Sequence, residues 1–184
     1  MNKKTLYTLC ENSVMIALAI VLSFIEIQLG PSGGSINFTM LPIMIIAFRH
    51  GPVWGIGSGM IFGLIKCIIG GGIGWGLPSI LLDYVLAYGA VGIAGIFKDK
   101  KYSLFFGSVL GCTLRYCIHF ISGIVLYAIT VPTEIEPINA VFSNAWAYSA
   151  VYNLIYMVPS SIVCIVLALF LKKPLEQMKK IINR

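Results

Sequence analysis

Long apolar runs alternate along the chain with short breaks rich in glycine and proline. An apolar helix needs about 20 residues to cross the hydrocarbon of a membrane, and all but one of the runs approach that length. The second run is shorter, and we expect it to be tilted or partly re-entrant. The pattern predicts an all-α integral membrane protein, a single domain with a bundle of six transmembrane helices over residues 6–29, 38–48, 52–69, 77–97, 103–130 and 146–171.

The positively charged residues gather on one side of this arrangement. Of the 13 Lys and Arg residues, all but two fall at helix ends that share a side. The opposite connections, residues 30–37, 70–76 and 131–145, contain neither Lys nor Arg. Because the cytoplasmic connections of membrane proteins carry an excess of Lys and Arg, this distribution predicts that both termini are cytoplasmic.

The composition also indicates a membrane protein. Of the 184 residues, 58% are hydrophobic and 11% are charged, which excludes an ordinary soluble domain. The net charge of +6 then indicates contact with the anionic lipids of a bilayer and no binding of nucleic acid. The tail KKPLEQMKKIINR combines basic and spaced apolar residues, and it predicts a short interfacial helix or a disordered end.

Ionisable residues nevertheless fall inside apolar segments, among them Lys66, Asp83, Arg115 and His119. An ionisable side chain within hydrocarbon is expensive, so each of these residues suggests a functional site. With a rise of about 1.5 Å per residue, Asp83 lies roughly 9 Å from the outer end of the fourth predicted helix.

The fifth and sixth predicted helices bring further polar residues to similar depths. One set repeats at intervals of four residues: Arg115, His119, Gly123 and Tyr127. Residues with this spacing lie on one face of a helix. On the sixth helix, Tyr148 lies near the outer end and Asn153 lies roughly 10 Å deeper. Because these depths overlap with that of Asp83, we expect an outward-facing cavity between the three helices.

Aromatic residues surround this predicted cavity, and they include Trp75, Tyr84 and Trp146. A carboxylate, a histidine and several aromatic rings suit a flat heteroaromatic ligand, particularly a cationic one, because aromatic faces stack on rings and attract cations. Two structural alternatives stay open at this point. Asp83 could be a buried partner of Arg115 or Lys66, and many of the aromatic residues, Tyr88, Tyr152 and Tyr156 among them, could belong to an interfacial belt.

Motifs of catalytic and nucleotide-binding sites are absent from the sequence. It contains no GxxxxGK[ST] or HExxH pattern, and its five cysteines are scattered. We therefore expect no catalytic residue, metal or cofactor. The alternatives from other classes are a small intramembrane enzyme that uses Asp83 and His119 as acid and base, and a small channel.

Several stretches together resemble one known family. They are the external segment GGSINFTMLPIMIIAFRHGPVWGIGSGMIFGLIK, followed by LLDYVLAYGAVGIAGIF, RYCIHFISGIVLY and YSAVYN. These stretches resemble the thiamine-specific substrate-binding subunits (S-components, ThiT/YuaJ type) of energy-coupling factor vitamin transporters. The resemblance covers nearly the whole chain.

The resemblance implies which residues bind the vitamin. Carried over by motif, they are Asp83, Tyr84, Arg115, His119, Gly123, Tyr148 and Asn153. Tyr127 stands where the family has a tryptophan, and residues 29–38 lack the tryptophan of the first external loop. Trp75 or Trp146 would then contribute to stacking on the ligand.

The resemblance also implies a mechanism. Such a subunit binds thiamine in the cell membrane of a prokaryote and joins a transmembrane scaffold subunit with two cytoplasmic ATPases, which use ATP to drive release inside. The family's small-residue motif on the first helix resembles the pair Ala19 and Ser23, with Ala17 nearby. This face and a glycine stripe in residues 51–63 are the expected scaffold surface. Another vitamin, such as riboflavin, or a thiamine precursor stays open as the ligand.

Overall fold

Helices account for most of the chain, and two short β-hairpins interrupt them. A computed structural model describes residues 2–29, 34–100, 102–130, 134–135, 140–141 and 144–182, without the side chains of residues 127–141 and 178–182. The helices are α1 (Lys3–Leu22), α2 (Met40–His50), α3 (Pro52–Ile69), α4 (Gly72–Phe97), α5 (Ser103–Thr130), α6 (Ala145–Phe170) and α7 (Lys172–Ile182). Antiparallel hairpins pair β1 (Glu26–Gln28) with β2 (Ser35–Asn37) and β3 (Glu134–Ile135) with β4 (Ala140–Val141).

Five helices of the described chain are long and apolar enough to cross a membrane, namely α1, α3, α4, α5 and α6. The remaining predicted span, α2, has 11 residues and a length of about 16 Å, roughly half the thickness of the hydrocarbon. Nearly all of its side chains are buried. A helix that is apolar on every side belongs in the interior of a bundle, which is where α2 lies.

The first helix ends earlier than predicted. Residues 6–29 were expected to form one span, but α1 stops at Leu22 and residues 26–28 form strand β1. The segment Ile25–Leu29 alternates apolar and polar residues, a period of two that favours a strand. Its backbone pairs with β2 in the register Glu26 with Asn37 and Gln28 with Ser35. The β1–β2 hairpin thus follows directly on the C-terminal end of α1.

Helix α4 begins five residues before the predicted span 77–97 and changes its winding along its length. It starts with a 3₁₀ turn, passes through a π-helical segment at Ile80–Leu86, and ends with a second 3₁₀ segment at Gly92–Phe97. π-Helical turns are uncommon in proteins, but those that occur often lie at functional sites. The one in α4 contains Asp83 and Tyr84.

The glycine stripe of α3 packs inside the chain. A Cβ atom added to Gly59 would overlap the carbonyl oxygen of Tyr88, and one added to Gly63 would overlap that of Tyr84. Gly55 contacts the backbone of Gly92 in the same way. The backbones of α3 and α4 therefore touch along the stripe, and these glycines form no outward surface for a scaffold subunit.

The small residues of α1 lie on two different faces. Ala19 is completely buried and Ser23 is nearly so, whereas Ala17 is exposed. Ser13, four residues before Ala17, is exposed as well. Of the three residues expected at a partner interface, only Ala17 is therefore accessible from outside the bundle.

The C-terminal end of α2 and the start of α7 lie at one end of the bundle. Arg49, at the end of α2, forms an ion pair with Glu11 of α1, and Nε2 of His50 lies 2.9 Å from the same carboxylate. Near them an apolar cluster of five buried residues joins α2, α5, α6 and α7: Ile45, Phe48, Leu104, Ala168 and Leu175. The tail residues 172–182 are thus helical, and Leu175 anchors α7 to this end.

The contact between α3 and α4 yields a prediction about stability. We expect Gly59→Ala to lower the free energy of unfolding by about 1–3 kcal/mol, because the new methyl group would push against the Tyr88 carbonyl and overpack the interface. Gly57→Ala is the matched control, since a Cβ there meets no atom within 4 Å. Thermal unfolding in detergent measures both variants. Equal melting temperatures would contradict the close packing.

Candidate functional site

A cavity of about 350 Å³ lies between α3, α4, α5, α6 and the β1–β2 hairpin. Eight of the ten residues predicted to contact a ligand line it: Trp75, Asp83, Tyr84, Arg115, His119, Gly123, Tyr148 and Asn153. Trp146 lies elsewhere, largely exposed and packed against Phe120 with ring centroids 5.8 Å apart. The side chain of Tyr127 lies outside the described residues. Three helices thus bring most of the predicted set together.

Asp83 is held by three hydrogen bonds on the cavity wall. Its Oδ1 lies 2.8 Å from Nδ1 of His119. Its Oδ2 accepts from the hydroxyls of Ser122 at 2.7 Å and Ser79 at 2.9 Å. Burying a carboxylate is costly unless its oxygens receive hydrogen bonds, and these three donors from α4 and α5 provide them.

The hydrogen bonds of His119 define its tautomer. Arg115 donates from Nε to Nε2 of His119 at 3.2 Å, so Nε2 is the acceptor nitrogen. Nδ1 then carries the hydrogen and donates it to Asp83, and the ring is neutral. The guanidinium of Arg115 lies 4.0 Å from the ring centroid of Tyr88, a cation–π geometry. Asp83 therefore reaches Arg115 only through the histidine.

Asn153 joins α6 to this network. Its Nδ2 donates to the carbonyl oxygen of His119 at 3.2 Å and to that of Ser149 at 2.8 Å. Its Oδ1 accepts a hydrogen bond from the hydroxyl of Tyr156. Gly123 lies so close to α6 that a Cβ at this position would overlap the side chain of Ser149 and press against that of Asn153. Glycine here lets α5 and α6 approach closely at the depth of the cavity.

A row of tyrosines on α6 forms one aromatic wall. The rings of Tyr148 and Tyr152 stack with centroids 5.7 Å apart and planes 10° apart, and Tyr156 meets Tyr152 edge-on at 5.5 Å. Sequence reasoning assigned Tyr152 and Tyr156 in part to an interfacial belt, yet both line the cavity. The four-residue spacing from Tyr148 was the signal that could have identified them, because it puts all three on one helix face.

The β1–β2 hairpin supplies a second group of cavity residues that sequence reasoning missed. Glu26 forms an ion pair with Lys66 of α3 at 3.0 Å and accepts from the hydroxyl of Ser35 at 2.9 Å. Lys66 also donates to the carbonyl oxygen of Ser23 at 3.2 Å. Lys66 therefore pairs with Glu26 and not with Asp83. The alternation of residues 25–29 could have revealed the strand that carries this acid.

Two further hydrogen bonds fasten the hairpin to α6. The Gly34 amide donates to the hydroxyl oxygen of Tyr152 at 2.7 Å, and the Asn37 amide donates to Oγ of Ser160 at 3.2 Å. The hairpin is thereby tied to α3 on one side and to α6 on the other.

Within the described residues, no group of three or more His, Cys, Asp or Glu side chains could hold a metal ion.

The tie between Gly34 and Tyr152 can be tested without a ligand. We expect Tyr152→Phe to accelerate hydrogen exchange of the Gly34 amide about fivefold, because a hydrogen bond of this kind contributes about 1 kcal/mol. Tyr116→Phe is the control, since its hydroxyl donates to the Ala150 carbonyl away from the hairpin. Hydrogen–deuterium exchange read by mass spectrometry gives the rates. Identical rates in both variants would mean that the Tyr152 hydroxyl does not hold the hairpin.

Comparison with known proteins identifies the family of the chain. Residues 9–180 match the family model described as thiamine transporter protein (Thia_YuaJ). The chain is 34% identical over 190 residues to thiamine transporter ThiT of Bacillus subtilis, with 94% of this chain and 95% of that protein covered. It is 28% identical over 167 residues to ThiT of Lacticaseibacillus paracasei, with 82% and 79% covered.

A solved structure supports the fold. The structure of ThiT from Listeria monocytogenes superposes with a TM-score of 0.81 at 23% sequence identity, and covers 96% of this chain and 99% of that one. The resemblance seen in the sequence motifs is thus confirmed, and the enzyme and channel alternatives give way to a transport protein. The chain belongs to the Thia_YuaJ family of thiamine transporter proteins and is a multi-pass membrane protein.

Proposed function

We propose that this chain is the thiamine-binding subunit, or S-component, of an energy-coupling factor importer. It captures thiamine outside the cell and delivers it inward together with a transmembrane scaffold subunit and two cytoplasmic ATPases. The observation that carries the proposal is the cavity, in which a hydrogen-bonded acid, a neutral histidine and a tyrosine wall meet in a chain of the thiamine transporter family.

The chemistry of the cavity suits thiamine. The molecule joins an aminopyrimidine, which donates and accepts hydrogen bonds, to a positively charged thiazolium ring. Asp83 and His119 offer polar groups at one side of the cavity, and the faces of Tyr148 and Tyr152 offer an aromatic surface at another. Aromatic faces attract both flat rings and cations, so one wall serves both halves of the ligand.

The orientation in the membrane follows from the two ends of the bundle. Arg49 and the start of α7 lie at one end, and the cavity with its hairpin lies towards the other. The positive-inside rule then directs the basic end to the cytoplasm of a prokaryotic cell and the cavity outward. Both termini are cytoplasmic in this arrangement, and α2 is a half-length sixth segment enclosed by the others.

The energy for uptake comes from partner subunits. The sequence has no phosphate-binding loop, so ATP is hydrolysed elsewhere in the complex. The exposed side of α1 is the docking surface that we favour, because Ser13 and Ala17 are small, exposed and four residues apart. Small residues with this spacing let another helix approach closely within a membrane. The pair Ala19 and Ser23 supports α1 from within the bundle.

Equilibrium binding tests the ligand. Purified protein in detergent is titrated with thiamine, riboflavin and thiamine precursors, and binding is followed by tryptophan fluorescence and calorimetry. We expect saturable binding of thiamine. Asp83→Ala and His119→Ala should each weaken it by about 1–3 kcal/mol, because each change leaves a buried polar partner unpaired.

Two substitutions of the same kind serve as controls. Glu176→Ala removes an exposed acid on α7, and His50→Ala removes the other histidine, far from the cavity. Both should leave thiamine affinity unchanged. The absence of any thiamine signal from the folded wild type would refute the assignment of the ligand, and a preference for another vitamin would replace it.

The docking surface is tested separately. We expect Ala17→Leu to abolish most co-purification with the scaffold subunit and most thiamine uptake by cells, while thiamine binding to the isolated chain stays intact. Cys117→Leu is the control, because it enlarges an exposed small residue near the middle of α5. If both variants assemble and transport equally well, the scaffold binds elsewhere.

A further inference from the structure

The cavity contains a second acid whose hydrogen bonds differ from those of Asp83. Glu26 lies on β1 and lines the cavity, and its side chain is 15% exposed, similar to the 19% of Asp83. Its two hydrogen bonds within the described residues, from Lys66 at 3.0 Å and Ser35 at 2.9 Å, both end on Oε2. Oε1 is left without a partner among those residues. A carboxylate oxygen with no donor is open to a ligand.

The capacity of the Asp83 carboxylate to accept hydrogen bonds, by contrast, is nearly filled. A carboxylate offers about four acceptor sites, and three of those of Asp83 receive His119, Ser122 and Ser79. A new donor at Asp83 competes with these contacts or takes the one position that remains. Of the two acids, Glu26 therefore has the larger free capacity to face a ligand.

The balance of charge in the cavity also favours Glu26 as the acid that contacts a ligand. Among the described lining residues, the charged side chains are Glu26 and Asp83 against Lys66 and Arg115, and His119 is neutral. The guanidinium of Arg115 lies on Tyr88 and donates to His119. The ammonium of Lys66 would repel a cationic ligand unless a carboxylate stood between the two charges. Glu26 accepts from Lys66 through Oε2 only, so its carboxylate can stand between the ammonium and the ligand.

We propose that Glu26 is the acid that faces the positively charged ring of the bound ligand, and that Lys66 competes with the ring for its charge. The inference rests on the proposed function, because it assumes that the ligand is thiamine. Glu26 lies on the β1–β2 hairpin, so its attraction to the ligand also holds the hairpin against the cavity. The site thereby selects for charge as well as shape.

The test compares thiamine with an analogue in which an uncharged thiophene replaces the thiazolium ring. Dissociation constants for both compounds are measured by calorimetry on the purified chain. The ratio of the two constants reports charge selectivity. A general loosening of the hairpin would weaken both ligands alike and leave this ratio unchanged.

Two variants should move the ratio in opposite directions. Glu26→Gln should weaken thiamine about tenfold and change the uncharged analogue little, because it removes the charge that faces the ring. Lys66→Met should increase the preference for thiamine, because it removes a competing positive charge from Glu26. Glu11→Gln is the matched control, an ion-paired acid of similar exposure on α1 outside the cavity, and it should leave the ratio unchanged.

The outcomes separate this inference from the proposed function. If the wild type binds thiamine but Glu26→Gln weakens both compounds equally, Glu26 only supports the hairpin and the inference is wrong. A ratio that stays constant in Lys66→Met also contradicts the inference, even where Glu26→Gln fails to fold. If the wild type binds no thiamine at all, the proposed function fails, and the inference fails with it.

Discussion

The need to supply hydrogen bonds to the partly buried Asp83 carboxylate is the constraint on which the rest of the site depends. A carboxylate placed between helices needs donors for its oxygens, and here these come from Ser79 on its own helix and from His119 and Ser122 on α5. The histidine can donate to Asp83 because Arg115 occupies its other nitrogen. Asn153 then joins α6 to the same histidine through its carbonyl oxygen. One partly buried charge thus sets the relative positions of three helices.

The close approach of the helix backbones makes this network possible. Gly59 and Gly63 bring α3 against the backbone of α4, and Gly123 brings α5 against α6. The side chains that would otherwise separate these helices are missing, so short polar side chains can reach across. The π-helical turn at Ile80–Leu86 lies between these contacts and carries Asp83 and Tyr84 into the cavity. The close helix packing and the polar side chains of the cavity therefore depend on each other. The hairpin with Glu26, together with Lys66 of α3, forms the remaining wall of the cavity.

Part of this site could be predicted from sequence, because helical periodicity is regular. The four-residue spacing of Arg115, His119 and Gly123 indicated their common face, and all three line the cavity. The same reasoning missed Glu26, because the polar residues at the end of an apolar run were taken as the end of a helix. It also left the partner of Lys66 open, because Ser23 and Glu26 meet it only through the fold of the chain before and within the hairpin.

The sequence by itself determined the class of protein, the long apolar helices, the uneven distribution of basic residues and the family. These properties depend on composition, spacing and motif, which are local along the chain. Only the tertiary structure decided that the glycines of α3 face α4, that Ala19 and Ser23 point inward, and that Lys66 pairs with Glu26. Which of several possible faces or charges meet depends on how the helices rotate and pack against each other. That choice is made by the sum of many contacts between distant residues, and no local pattern records it.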